Sequence, residues 1–287
     1  MSRTLKIVLL ALAPVIGATA LVLSRQSREP EFENQPLSFY LRSLTYSQVR
    51  LERNARDAIR AIGSNAVPHL IDILDARELR FKTWFNEVAN QHSFTRFRFP
   101  QMASQQIQAA MACQELGPTA AVAIPSLARL IDDPQLGYWA VAALAEIGPQ
   151  TFPLLTNALS SPYPSTRFAA VGHLRLMRPR ERAVPPLLMA LNSQDSHMRS
   201  LAAESLGALG LSSPEVVSAL ASRLDDSDAP VSVSAAISLG WSGSAASACV
   251  PKLAELYRRM EGSTEQWRIG EALKSIDSLA TESAGVK

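Results

Sequence analysis

The sequence predicts an all-α solenoid, and three observations predict it. Two families of aligned columns recur along the chain, one for each helix of a repeated helix pair. Within a column set, apolar positions stand four apart, the spacing of one helix face. Proline and glycine recur at fixed offsets, where helix entries and exits call for them.

Taken in order, residues 37–48 read as a capping helix, and from residue 49 the unit is helix, turn, helix. The second helices align on Pro68, Pro125, Pro153, Pro185, Ser218 and Pro251, with successive gaps of 57, 28, 32, 33 and 33 residues. Two residues on stand Leu70, Leu127, Leu155, Leu187, Leu220 and Leu253. The first helices align on Ala55, Ala109, Ala140, Ala170, Ala202, Ala235 and Ala272. Four residues later come Ile59, Cys113, Leu144, Leu174, Leu206, Leu239 and Ile276, then Gly63, Gly117, Gly148, Arg178, Gly210, Gly243 and Ala280. A recurring alanine lets neighbouring helices approach closely. Glycine after a helix supplies a left-handed cap. Proline in a first turn gives up no helical hydrogen bond. A single pair cannot bury its apolar faces, whereas stacked pairs share one continuous core. The last helix, about 265–280, reads as a polar cap carrying Lys274 and Asp277.

These columns resemble the HEAT-repeat family in its short form, which also occurs in phycobilisome-lyase-like proteins. The fifth unit carries the pattern best, with Met198-Arg199, Ala202-Ala203, Leu206-Gly207 and Gly210. The fourth has Thr166-Arg167, Ala169-Ala170 and Leu174. The resemblance covers about residues 49–280. It implies a right-handed stack of about six HEAT-like helix pairs plus a terminal capping helix. The plan is also similar to bacterial HEAT-repeat proteins that carry an N-terminal hydrophobic segment and then a stretch like Pro36-Leu37-Ser38-Phe39-Tyr40, a group with no assigned activity. Departures are Arg178 at a glycine position, Ser218 at a proline position, and the long first gap.

Composition narrows the class further. The chain is 47% apolar and 19% charged, too apolar for disorder and sufficient for a large core. Two cysteines exclude a disulfide scaffold. The net charge is +2, yet Arg3, Lys6, Arg25 and Arg28 face only Glu29 in the first 30 residues. Beyond residue 30 there are 24 basic and 25 acidic residues, so the basic surplus lies outside the repeats. A nucleic-acid groove would carry it inside them.

Residues 7–23 carry no charge. Seventeen residues reach the short end of a membrane span. The run, within residues 1–24, reads as a signal-anchor and transmembrane helix. The alternative is a cleaved signal peptide, with Ala18-Thr19-Ala20 as its small-residue site and a secreted product. Leu21-Val22-Leu23 directly after that site favours anchoring, with the solenoid outside the cytoplasm. Residues 25–36 read as a polar tether, 37–281 as the solenoid, and 282–287 as a tail.

The long first gap holds an insertion, 77–100, with six of the chain's 18 aromatic residues. Phe81, Trp84, Phe85, Phe97 and Phe99 alternate with basic residues that include Arg96 and Arg98. Its first part, 77–90, reads as an extra helix and 93–99 as extended chain. Aromatic plus arginine is the composition of protein-interface hot spots. It also suits single-stranded nucleic acid, or a satellite core packed on the first repeat.

In HEAT solenoids the second helices line the concave face, and the resemblance implies the same for this chain. One outward row is Asp72, Arg129, Asn157, Met189, Ser222 and Glu255; a second is His69, Ser126, Leu154, Pro186, Ala219 and Lys252. Arg129, Asn157 and Met189, together with the insertion's Phe81, Trp84, Phe85, Arg96, Phe97, Arg98 and Phe99, form the candidate partner-binding set. Mixed charge around an apolar middle suits a protein or peptide.

Candidate chemistry is sparse. His69, His92, His173 and His197 show no metal-binding spacing, and there is no HExxH, CxxC, GxSxG or phosphate loop. Cys113 and Cys249 stand about four repeats apart and read as two free, buried thiols. Asp132-Asp133 and Asp225-Asp226 follow second helices, where turns favour aspartate, and read as solvated turn acids. No catalytic residue, metal or cofactor is assigned. The sequence therefore reads as a membrane-tethered scaffold for a protein or peptide partner. The alternative is a lyase-type or other enzyme with a small-molecule groove on the concave face.

Overall fold

The computed structural model describes residues 29–44, 49–76 and 102–277. The hydrophobic run 7–23, the insertion 77–100 and the tail 282–287 lie outside the described residues. The chain divides into two compact units at Thr119.

Among the described residues, the first in chain order form a hairpin. Strand β1 (Glu31–Phe32) pairs antiparallel with β2 (Gln35–Pro36), Phe32 opposite Gln35. The two turn residues, Glu33 and Asn34, have φ of 48° and 61°. Both signs are those of a type I′ turn, which matches the twist of the strands it joins. Of the expected tether 25–36, residues 29–36 are thus ordered hairpin and its lead-in. The sequence Pro36-Leu37-Ser38-Phe39-Tyr40 explains the docking. Helix α1 (Leu37–Ser43) buries Leu37, Tyr40 and Leu41. The Tyr40 hydroxyl donates to the Phe32 carbonyl at 2.8 Å, and the Leu37 amide donates to the Pro30 carbonyl at 2.9 Å.

Helices α2 (Val49–Ile62) and α3 (Val67–Asp75) form the first pair, and α4 (Met102–Leu116) packs on α1, α2 and α3. Ala55, Ile59, Leu70, Leu74, Ala109 and Cys113 are the buried columns here. The buried Gln106 amide donates to the Leu74 and Ala76 carbonyls, satisfying backbone acceptors left open where α3 ends. Arg56 and Arg60 both bond the nearly buried Glu115.

The second unit alternates second and first helices: α5 (Ile124–Arg129), α6 (Gly137–Ile147), α7 (Phe152–Ala158), α8 (Pro164–Leu174), α9 (Val184–Leu191), α10 (Ser196–Ala208), α11 (Pro214–Ser222), α12 (Ala229–Trp241), α13 (Val250–Arg259) and α14 (Gln266–Ile276). The first helices α6, α8, α10, α12 and α14 pack in succession. Leu127, Leu155, Leu187, Leu220 and Leu253 are all fully buried, as are Ala140, Ala170, Ala202 and Ala235. Five such leucines on consecutive second helices make one continuous core, each contributing on the order of 2 kcal/mol.

Small residues set the helix spacing. A Cβ on Gly207 would lie 2.5 Å from the Ser238 Cβ, and one on Gly240 would lie 2.8 Å from the Ala272 Cα. At these close approaches Ser238 donates to the Ala203 carbonyl and Ser275 to the Gly240 carbonyl, each at 2.9 Å. The glycine column closes the first helices as expected, with φ of 67° at Gly210 and 57° at Gly243. Arg178, which replaces it once, precedes a cis peptide to Pro179.

The fifth pair departs from the expected alignment in an informative way. Leu220 keeps the core register, but α11 starts a full turn before Ser218. Pro214 takes the first helical position, and the Ser213 hydroxyl caps the Val216 amide. The proline is therefore displaced by one turn. The terminal helix α14 buries Ile269, Leu273 and Ile276, while Trp267 is 71% exposed beside Arg268, Glu271 and Lys274. Its outer side is amphipathic rather than uniformly polar.

Candidate functional site

The second helices enter at proline and turn their leucines inward, so the residues at and four after the proline position share the opposite face. The structure bears this out along α5, α7, α9, α11 and α13. Pro125, Pro153, Pro185, Ser218 and Pro251 are exposed, and so are Arg129, Asn157, Met189, Ser222 and Glu255. Arg129, Asn157 and Met189 thus stand on three successive second helices of one unit, with Met189 72% exposed. Arg129 donates to the Ser126 hydroxyl at 3.2 Å. Asp72 occupies the equivalent exposed position in the first unit.

The second expected row is corrected. Ser126 and Pro186 are buried, and His69, Leu154 and Ala219 are half-buried; of that row only Lys252 is exposed. A position one residue after the proline is rotated about 100° around the helix and faces a neighbouring element. The apolar middle of the face is consequently Pro185 and Met189. The remaining candidates, Phe81, Trp84, Phe85, Arg96, Phe97, Arg98 and Phe99, lie outside the described residues.

Charge near the face is held in pairs between repeats. Arg199 on α10 bonds Asp226 with Nε and Nη2 at 2.9 and 2.8 Å, and bonds Asp228 at 2.8 Å. It also donates to the carbonyls of Ser193 and Gln194. Arg167 on α8 repeats the geometry, reaching the Ser161 and Pro162 carbonyls and lying 3.6 Å from Asp195. Asp225 pairs with Lys252 at 2.8 Å. Hydrogen bonding from Arg199 holds the Asp226 carboxyl below the usual carboxylate range. Asp226 is therefore not a solvated turn acid, because its side chain is only 5% exposed. Asp133 also has a fixed task, accepting from the Gln135 and Leu136 amides at the entry to α6. A signal for these roles existed: an arginine one turn into a first helix, Arg167 or Arg199, recurs with an aspartate at the N-cap of the next first helix, Asp195 or Asp228.

Other reactive groups are occupied or shielded. Burial pushes the Cys113 thiol up to about 12 and raises Cys249 as well, so both are free, buried and weakly nucleophilic. Burial lowers the His173 pKa. His197 packs against Phe168 in a tilted contact, ring centroids 4.4 Å apart. Among the described residues, no three histidine, cysteine or acidic side chains are placed to hold a metal ion. None of their helices is long and apolar enough to cross a membrane.

One surface feature had no signal in the repeat alignment. Trp241 and Trp267, 59% and 71% exposed, line a groove of about 270 Å³ between α12 and α14, with Ile237, Arg268 and Glu271. Repeat columns report what is buried, and exposed aromatics fall between them.

The sequence pattern of HEAT repeats matches residues 124–207, 152–240 and 184–274, together more than half of the chain. No protein of curated function matches the chain in sequence. Among solved structures, an engineered protein is 19% identical over 87% of this chain and 71% of its own, with a TM-score of 0.48. The complex of CpcE and CpcF of phycocyanin lyase from Nostoc sp. PCC7120 is 19% identical over 88% of this chain and 97% of its own, with a TM-score of 0.40. Human deoxyhypusine hydroxylase is 17% identical over 88% and 85%, with a TM-score of 0.33.

Proposed function

Because the chain belongs to the HEAT-repeat family, we propose that it is a repeat scaffold that binds a protein or peptide partner on the exposed face of its second helices. The observation that carries this reading is the row Arg129, Asn157, Met189, Ser222 and Glu255, one exposed residue from each consecutive second helix. The row changes from basic through neutral and apolar to acidic. Such a surface recognises another mixed polypeptide surface better than a polyanion, whose contacts need uniform positive charge. The stacked helices supply rigidity, so a partner meets a preorganised surface and little ordering cost is incurred.

The scaffold is held near a bilayer in this reading. The uncharged run 7–23 is the anchor, and the repeats lie outside the cytoplasm. The protein does no chemistry of its own in this account; it presents a surface.

The test is crosslinking in cells followed by mass spectrometry. The full-length chain is compared with a variant carrying Arg129→Glu, Asn157→Arg and Met189→Glu. Loss of one discrete partner, with the thermal melt unchanged, is expected. An identical partner list from an equally stable variant overturns the assignment of this face. For the anchor, alkaline extraction should leave the full chain in membranes and release a version lacking 7–23. Release of both refutes the tether.

A further inference from the structure

A second surface, in the first unit, combines aromatic rings with carboxylates. It is a groove of about 590 Å³ between the β1–β2 hairpin with α1 on one side and α2 on the other. Phe39, Tyr40, Glu33 and Asp57 line it, with Asn54 and Gln35 among the polar groups. None of the described residues lining it is basic.

We propose that this groove binds an arginine-bearing segment of a partner protein, the guanidinium lying against Phe39 and between the Glu33 and Asp57 carboxylates. The charge of the site fits such a ligand. Two acids line the groove, and Arg60 of α2 is shared between one of them and Glu115. Arg60 lies 3.5 Å from Asp57, but its other amino group donates to Glu115 at 2.7 Å. Asp57 and Arg60 are both more than half exposed, so their mutual attraction is weak and readily exchanged.

The aromatic wall fits as well. Phe39 is 42% exposed, although it sits in a helix whose neighbours Leu37, Tyr40 and Leu41 are buried. Its ring is braced edge-to-face by Tyr40 at 5.4 Å, and Tyr40 is braced by Phe32 at 6.2 Å. A braced, exposed ring is the platform a planar guanidinium stacks on. Glu33 adds a third point. It occupies a left-handed turn position, φ 48°, that asparagine and glycine fill more readily. A glutamate there is a poor choice for the turn and a good one for an acidic rim. Glu33 lies close enough to Tyr40 that its charge, after burial, helps raise the phenol's pKa. The amides of Asn54 and Gln35 can bond the backbone of an extended ligand.

The site is independent of the second-helix face, so each can fail alone. The test uses the purified full-length chain and fluorescein-labelled hexapeptides of alternating serine with arginine or with glutamate, read by anisotropy. The arginine peptide should bind and the glutamate peptide should not. Glu33→Gln combined with Asp57→Asn should weaken arginine-peptide binding by about tenfold, as expected for two lost charge contacts. Phe39→Leu keeps the apolar volume but removes the π-face, and should weaken binding about threefold. A control pair elsewhere, Glu215→Gln with Glu261→Gln, should change nothing. Equal binding of both peptides, unchanged binding by the Glu33/Asp57 variant, or equal weakening by the control pair would each overturn the proposal.

Discussion

Replacing Arg199 by alanine should destabilise the second unit by about 2–3 kcal/mol, far more than replacing Lys252. The Arg199 side chain is 11% exposed and that of Asp226 5%, and they share two hydrogen bonds. Breaking a buried pair by removing one partner costs roughly 3–5 kcal/mol, because a charge is left uncompensated. Here the Asp228 amide still donates to Asp226 at 3.1 Å, and Arg223 stands 3.7 Å away, so the cost falls below that range. Lys252 and Asp225 are 52% and 59% exposed, so solvent screens that pair and its loss costs little. In a thermal melt, Arg199→Ala should lower Tm by about 5–10 °C and Lys252→Ala by under about 3 °C.

The acid dependence follows from Asp226. Hydrogen bonding from Arg199 depresses its folded pKa below the ordinary aspartate value of 3.8. The stability it contributes is therefore present above that value and is lost as pH falls through the folded one. The gap between wild type and Arg199→Ala should close as pH drops below about 3.8 and persist at neutral pH. Equal effects of the two substitutions, or a gap that widens in acid, would refute the argument.

Further outcomes follow from packing and burial. Gly207→Ala should cost about 1–3 kcal/mol, since its methyl would strike Ser238, whereas Gly172→Ala meets nothing within 4 Å and should stabilise α8 by about 0.5–1 kcal/mol; urea midpoints compare the two. Leu187→Ala should cost about 2–5 kcal/mol in the same assay, because Leu187 is fully buried. Cys113 and Cys249 should resist iodoacetamide in the native protein at about pH 8 and react fully in concentrated guanidinium chloride; rapid native labelling of Cys113 would contradict its burial.

The columns were legible because burial and backbone geometry repeat with every unit. The leucines Leu127 to Leu253 and the alanines Ala140 to Ala235 could be placed in the core from spacing alone. Gly210 and Gly243 could be placed at helix exits for the same reason. What was harder to read depends on angle or on partners. His69 and Ser126 lie one residue past the proline, and alignment does not give the rotation that turns them from solvent. Asp226 looks like any turn aspartate until Arg199, 27 residues earlier, is brought against it. The hairpin at 31–36 has strands of two residues, too short for any alternation of pattern. The exposure of Trp241 and Trp267 is a property of where the stack leaves a groove, and no column records it.

The second-helix face is tested most directly by a photo-crosslinking amino acid placed at Met189, with Trp241 on a first helix as the comparison site. Both side chains are exposed, so both substitutions are tolerated by the fold. One discrete crosslinked protein is expected from position 189 in cells, and no such product from position 241. A discrete product from position 241 alone would contradict that expectation and move the binding surface to the first helices.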